Sequence, residues 1–442
     1  MEVIHHGAFH GVTGSCHQLV INDSRSLLVD CGMFQGADAK NRDQEKIEFS
    51  LEGIQGLVVT HVHLDHVGRI PYLLAAGFNG PIYCTPPTAK LLPLMLEDAM
   101  RVGVTRNKRL IERFLVDLRK HIRPLAYHSW HKLDGGVELR LTPAGHVLGS
   151  AVVDVEYQGE RFVFSGDIGS RHQPLLKEPV SPERADFLVL ESTYGNRNHV
   201  GREQRALQLE KILCRTLENK GVTIIPAFSL GRTQELLYEM NEIFERVEKN
   251  QGCSLLRAVD VIVDSPLASR FTEIYEDLRE YWDEEAQHVL TYDDQPLVFN
   301  NLVQIEDHHE HRDTIQYLKD SQRPAIIIAA SGMCAGGRVV NYLKEFLGDP
   351  ASDIVFVGYQ AYGTPGRYIQ DTDWVKLDGK RYDIRAQVHQ LSGYSAHADQ
   401  SDLLRFVEGM QQPPKAIRLV HGEDEAKAAL QAELEQRGYK VV

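Results

Sequence analysis

A chain of 442 residues with 43% apolar and 25% charged side chains has the makeup of a folded globular protein with room for two to three domains, and 35 Gly with 18 Pro are too few for a low-complexity chain. Forty-eight Lys and Arg against 62 Asp and Glu give a formal charge of −14, which excludes a global basic field for capturing nucleic acid but leaves room for a local basic groove. No apolar run approaches the ~18 residues of a membrane span, and the start MEVIHHGAFH has no cationic lead into an apolar core, so a cytoplasmic protein with no membrane partner is expected.

In chain order, short apolar strands are predicted at 17–22, 26–30, 56–60, 81–84, 137–142, 151–157, 161–165 and 186–190, with helical patterns at 69–76, 88–100 and 106–120 between them. That is a mixed sheet with helices against it. From about 205 the rhythm becomes strand–loop–helix. Strand 221–226 precedes a helix that carries Leu236, Leu237, Met240, Ile243, Phe244 and Val247 on one face; strand 259–263 precedes helix 266–279, and strand 324–330 precedes helix 337–347 and strand 353–359. Such alternation predicts a parallel, doubly wound α/β unit over 196–380. The last sixty residues return to the first style and end in a helix with Ala426, Leu430 and Leu434 in register and Gly438 as its stop. One domain inserted into another explains this order.

The six cysteines, Cys16, Cys31, Cys84, Cys214, Cys253 and Cys334, are scattered without a C-x-x-C pair, which predicts reduced, mostly buried thiols and no thiolate metal site. Any metal must then be held by histidine and carboxylate. His61, His63, Asp65 and His66 lie directly after the apolar strand 56–60. Four metal-competent side chains in six residues can divide between two ions, His61 and His63 to one, Asp65 and His66 to the next. Imidazole and carboxylate without sulfur suit zinc, with manganese or iron as substitutes.

Residues 60–71, THVHLDHVGRIP, resemble the signature motif of the metallo-β-lactamase fold, and in particular of its RNA-processing branch, the β-CASP nucleases. Further motifs follow in order: Asp30 in LLVDCGMFQG, His146 in PAGHVLGS, Asp167 in FVFSGDIG, Glu191 in LVLESTYG, His397 in GYSAHAD and His421 in LVHGE. The resemblance implies an αββα metallo-β-lactamase sandwich built from 1–195 and 381–442, interrupted by an α/β β-CASP domain, a parallel sheet flanked by helices, over 196–380. It implies one zinc on His61, His63 and His146, another on Asp65, His66 and His421, and Asp167 bridging. Asp30 would orient a ligand imidazole, and with Asp65 it joins His397 and Glu191 among the catalytic groups. Two ions ~3.5–4 Å apart can activate water and offset charge on a phosphoryl oxygen. His397, held by Glu191, would then protonate the leaving 3′-oxygen and leave a 5′-phosphate downstream.

The same resemblance implies single-stranded RNA as substrate, since His421 stands where RNA-acting members carry histidine. It implies endonucleolytic cutting, with 5′-to-3′ exonuclease action open, in RNA processing or decay. Oligomeric state stays open, a homodimer included. The alternatives are a small-molecule hydrolase acting on a thioester or lactone, a DNA nuclease, and a scaffold subunit without activity, which lost metal ligands would mark.

Four loops of the insert, 226–232, 264–268, 330–338 and 358–367, place Gly and Ser at strand C-termini, where open α/β sheets bind ligands. Arg232, Arg338 and Arg367 could supply charge to phosphates, and Ser331 and Gly332 of the SGM triplet resemble phosphate-gripping segments of the family. Ordinary turn chemistry is the competing account of these loops. The cluster Asp307–His311 lies far from every catalytic motif and is expected to be a solvated loop.

Overall fold

The computed structural model describes residues 1–40, 42–199, 204–249 and 251–442. It divides into two compact units, Met1–Asn198 with His397–Val442, and His199–Ala396.

In the first unit the period-2 pattern builds two six-stranded sheets. One runs Glu2–Gly7, Cys16–Asn22, Arg25–Val29, Ile54–Val58, Ile82–Cys84, Ile122–Pro124, antiparallel at first and parallel from Arg25–Val29 onward. The other runs Ile417–Val420, Phe187–Glu191, Glu160–Phe164, Ala151–Tyr157, Glu138–Pro143, His131–Lys132. Alternation sends Leu27, Val29, Val58, Val153, Phe162, Phe164 and Val189 into one core between the sheets. The intervening Val152, Val163, Leu188 and Leu190 pack on the opposite side against Leu403, Phe406, Leu430 and Leu434 of helices Gln400–Glu408 and Asp424–Gln436. Both faces are buried, so these strands read as near-continuous apolar runs. With helices Pro86–Gly103 and Lys108–His121 beside Ile122–Pro124, the layers are those of an αββα sandwich.

The second unit is a six-stranded, all-parallel sheet in the order Leu302–Gln304, Asp260–Asp264, Ala325–Ala329, Val222–Pro226, Asp353–Phe356, Gln387–Gln390. Helix Arg232–Glu248 starts where Gly231 takes φ 78 and buries the apolar face read from the sequence. The sequence places the return to the first domain at 381; contacts place it after Ala396, because Gln387–Gln390 pairs with Asp353–Phe356.

Two further expectations are corrected. Cys16, Cys31, Cys84 and Cys334 are free and buried, but Cys214 and Cys253 form a disulfide with Cα atoms 6.1 Å apart. Their 39-residue separation hides the contact: Cys214 lies on helix Arg205–Glu218, and the Cys253 amide is anchored to the same helix through Glu210 Oε1 at 3.0 Å. Residues 307–311 are not a loop. Asp307 caps helix His308–Ser321, and His311 is buried with Nδ1 2.5 Å from Asp264 Oδ2. Among the described residues no helix is long and apolar enough to cross a membrane.

Candidate metal centre

Most residues of the centre sit at or just beyond the end of a strand of the first unit, where backbone leaves the ladder and side chains can converge. Strand Ile54–Val58 delivers Thr60, His61 and His63, and the short helix Leu64–Val67 follows with Asp65 and His66. Glu138–Pro143 leads to His146, Glu160–Phe164 to Asp167, Phe187–Glu191 ends on Glu191, and Ile417–Val420 leads to His421. His397 joins through a bridge to Gly169, with the Ala398 amide donating to Ile168 O at 2.7 Å. Gly32 permits the approach of the helix, because a Cβ there would lie 1.6 Å from Asp65 O.

Two donor sets result. His61 Nε2 and His146 Nε2 each lie 3.1 Å from His63 Nδ1, and 3.5 and 3.6 Å from Asp167 Oδ2. On the other side Asp167 Oδ1 is 3.2 Å from His66 Nε2 and 3.5 Å from His421 Nε2, which is 3.3 Å from Asp65 Oδ2. A tetrahedral ion with bonds of ~2.0–2.1 Å needs donor–donor edges of about 3.3 Å. The donors fit that figure, and the two oxygens of Asp167 divide between the sets. His66 Nε2 and Asp167 Oδ1 are buried and lack an aligned hydrogen-bond partner, a costly state unless a cation satisfies both.

The electrostatics agree. Burial, chiefly, holds His61 and His146 well below the ordinary imidazole range and pushes His63 down to about 4, so these rings are neutral and offer lone pairs. Burial also disfavours a proton on His66 and His421, but Asp167 outweighs it, helped by Asp30 at His66 and Asp65 at His421, which rises to about 9. Burial would raise Asp65 and Asp167. The His421 hydrogen bond and the His66 charge instead take Asp65 to about 2, and His421, His66 and His61 hold Asp167 well below the carboxylate range. The pocket demands positive charge.

A shell of acceptors fixes the rings. Asp30, at φ 62, accepts from Thr60 N and Thr60 Oγ1 at 2.8 Å and from His66 Nδ1 at 2.7 Å. Glu191 accepts from Ile168 N at 2.6 Å and Thr193 Oγ1 at 2.6 Å, and His397 Nδ1 lies 3.3 Å from both its oxygens. Thr193 Oγ1 gives its proton to Glu191, so it accepts from His421 Nδ1 at 3.1 Å and leaves Nε2 facing the acids. Burial works against a proton on His397, yet Glu191 outweighs it and raises the imidazole above its usual range. Thr60 and Thr193 are absent from the sequence reading; their one signal is a hydroxyl adjacent to a ligand or acid motif.

The residues proposed for phosphate lie in the second unit. Arg232 is buried, at 5% exposure, and paired with Glu235. Arg338 is likewise engaged, by Asp264 Oδ1 at 2.6 Å and Ile305 O at 3.0 Å. Arg367 is more open, with an i,i+4 contact to Asp371 at 2.6 Å. Ser331 Oγ reaches Gly336 O at 3.3 Å, and Gly332 O accepts from Gln360 Nε2 at 2.8 Å.

Residues 12–197 match the metallo-beta-lactamase superfamily, 233–369 the Beta-Casp domain, and 381–442 the Zn-dependent metallo-hydrolase RNA specificity domain. The chain is 37% identical to Ribonuclease TTHA0252 of Thermus thermophilus over 447 residues, covering 100% of this chain and 97% of that one. It is 32% identical to transcription termination factor FttA of Methanocaldococcus jannaschii over 435 residues, 95% of this chain, and to FttA of Methanosarcina mazei over 439 residues, also 95%. It spans 66% of the length of each FttA. A crystal structure of a protein of unknown function from Enterococcus faecalis V583 shares the fold, with TM-score 0.55 at 12% identity over 99% of this chain and 96% of that one.

Proposed function

The chain belongs to the β-CASP branch of the metallo-β-lactamase superfamily, and from that membership we propose that it hydrolyses RNA phosphodiester bonds with two zinc ions. One ion would be held by His61, His63 and His146, the other by Asp65, His66 and His421, with Asp167 serving both. The supporting observation is the pair of donor sets with edges of 3.1–3.6 Å that share the two oxygens of one carboxylate. The relative named a ribonuclease, aligned along the whole chain, supports RNA as the substrate class.

Bound there, the ions would supply Lewis-acid charge toward a phosphoryl oxygen and acidify water. The protein's own groups set the geometry. Asp30 accepts a hydrogen bond from Nδ1–H of His66 and Thr193 Oγ1 accepts one from Nδ1–H of His421, so that a bound ion would meet each ring's Nε2 lone pair on the side of Asp167. Glu191 grips His397 at Nδ1 and favours its charged form, so Nε2 can pass a proton to the leaving 3′-oxygen. The product keeps a 5′-phosphate, and the substrate is single-stranded, cut internally.

The test is metal analysis joined to cleavage of end-labelled, internally labelled and circular RNA carrying 5′-triphosphate or 5′-phosphate. Close to two zinc ions per chain and cutting of the circle are expected. A zinc-loaded protein that leaves every RNA intact while turning over a thioester or lactone would overturn the reading.

A further inference from the structure

Residues 101–123 carry eight Lys and Arg against two acids, a formal +6 in a chain of −14. They span the end of helix Pro86–Gly103 and all of helix Lys108–His121, within the first unit. The second helix buries Ile111, Leu115 and Leu118 and is capped by Asn107 Oδ1, which accepts from Arg109 N at 3.1 Å and Leu110 N at 3.4 Å. At 100° per residue Arg109, Arg113 and Lys120 fall opposite the buried stripe, and all three are exposed. With a rise of 1.5 Å per residue they form a rigid row about 16 Å long.

Fold stability does not account for the two arginines of this row. Lys108 and Arg109 stand in the first turn, at the positive end of the helix dipole, with no acid beside them there. Arg109 and Arg113 are like charges one turn apart, which repel. Arg106, Lys108, Arg109, Arg113 and Arg119 are exposed and form no ion pair among the described residues, although acids outnumber bases in the chain. Arg109 and Arg113, without ion pairs among the described residues, fit an external polyanion; Lys120 stands in the favourable last turn and pairs with Asp117 Oδ1 at 3.1 Å, an exposed contact that a phosphate can replace. A lipid surface is the poorer match, because the helix spends its apolar stripe inside the unit and the exposed Val102, Val104, Leu110 and Val116 form no second stripe at helical spacing.

We propose that the outer face of helix Lys108–His121 is an accessory binding site for the phosphate backbone of single-stranded nucleic acid, contacted by Arg109, Arg113 and Lys120. It gathers RNA to the catalytic unit independently of the metal centre, and its identity as an RNA site rests on the ribonuclease reading above. Binding through phosphates carries no base preference and shows itself in salt dependence.

The experiment is fluorescence anisotropy of a labelled, cleavage-resistant phosphorothioate oligouridine on the metal-loaded full chain, across a salt series, beside wild-type RNA cleavage. Removing three contacts with Arg109→Gln, Arg113→Gln and Lys120→Gln together should make the slope of log K against log salt shallower by about 2, at ~0.7 per contact, and weaken low-salt affinity about tenfold. The charge-keeping pair Arg109→Lys and Arg113→Lys should retain the wild-type slope, which separates charge from misfolding. A triple variant with the wild-type slope overturns the site, whether or not wild type cleaves RNA. So does unchanged RNA binding with loss of binding to phosphatidylserine vesicles, which would make the face a membrane contact. A variant-sensitive slope in a protein that cleaves no RNA would uphold the site and sink the hydrolase reading instead.

Discussion

Asp30→Asn should weaken one donor set far more than the other. The side chain is buried, and its two oxygens accept from Thr60 N, Thr60 Oγ1 and His66 Nδ1 at 2.7–2.8 Å. An asparagine of the same shape keeps one acceptor, which the Thr60 amide takes, and turns an NH2 toward Thr60 Oγ1 and His66 Nδ1. Thr60 can rotate its hydroxyl to accept. His66 must instead move its proton from Nδ1 to Nε2, the atom 3.2 Å from Asp167 Oδ1, and its lone pair then points away from the ligand set. Loss of such an orienting acceptor weakens a metal site by 10–100-fold, about 1.4–2.7 kcal/mol. The deficit should fall mainly on the Asp65, His66 and His421 set, since Asp30 reaches the other set only through Thr60 Oγ1, 3.1 Å from His61 Nδ1. Zinc titration against a chromophoric chelator should therefore resolve one step near wild-type affinity and one weakened step. Equal weakening of both steps, or of neither, would refute the tautomer argument.

Asp167→Ala should bind at most one zinc by elemental analysis, because it removes one donor from each set. His397→Ala should keep its metal while kcat drops by about 10²–10⁴, the worth of a general acid, and Glu191→Gln should lose less in the same direction; a stripped metal would mean that His397 is a ligand. Burial raises Glu235 to about 7, with Arg232 and Arg205 only partly offsetting it, so the folded state binds its proton more tightly than the unfolded chain. Stability from this group is then complete below about pH 4.5 and falls as pH rises to about 7, by about 3 kcal/mol. Glu235→Gln should flatten the Tm–pH profile in that window, leaving the contribution of Glu242, also raised to about 7 by burial, and a profile as steep as wild type would sink the assignment.

Strands such as Ala151–Tyr157 and Ala325–Ala329 are legible in the sequence because burial on both faces writes them as apolar runs. Glu2–Gly7 and Ile122–Pro124 are not, since they are edge strands whose side chains are largely half-buried or exposed and carry no apolar period. The same weakness hides Gln387–Gln390, whose QVHQ declares nothing until it pairs with Asp353–Phe356. Residues 307–311 mislead in the other direction. Their charge suggests solvent, but a helix turn carries every fourth residue inward, and His311 meets Asp264 there.

The centre divides along the same line. Four ligands of HVHLDH are adjacent in sequence, so the residue types alone announce metal, while Asp30, His146, Asp167 and His421 become members only through a family pattern or through space. Thr60 and Thr193 escape both, because their contribution is one hydroxyl that donates to an acid and lies 3.1 Å from Nδ1 of a neighbouring ring, His61 or His421. Arginine shows why counting charge is insufficient: Arg232 looks available until Glu235, three residues on, is seen to consume it. Arg109 and Arg113 form no ion pair among the described residues, although Glu112 follows Arg109 at i+3 and Asp117 follows Arg113 at i+4. Whether a basic side chain serves the fold or a ligand is thus settled by its partners, and on that criterion Arg109 and Arg113 on Lys108–His121, rather than the buried Arg232, present unspent positive charge.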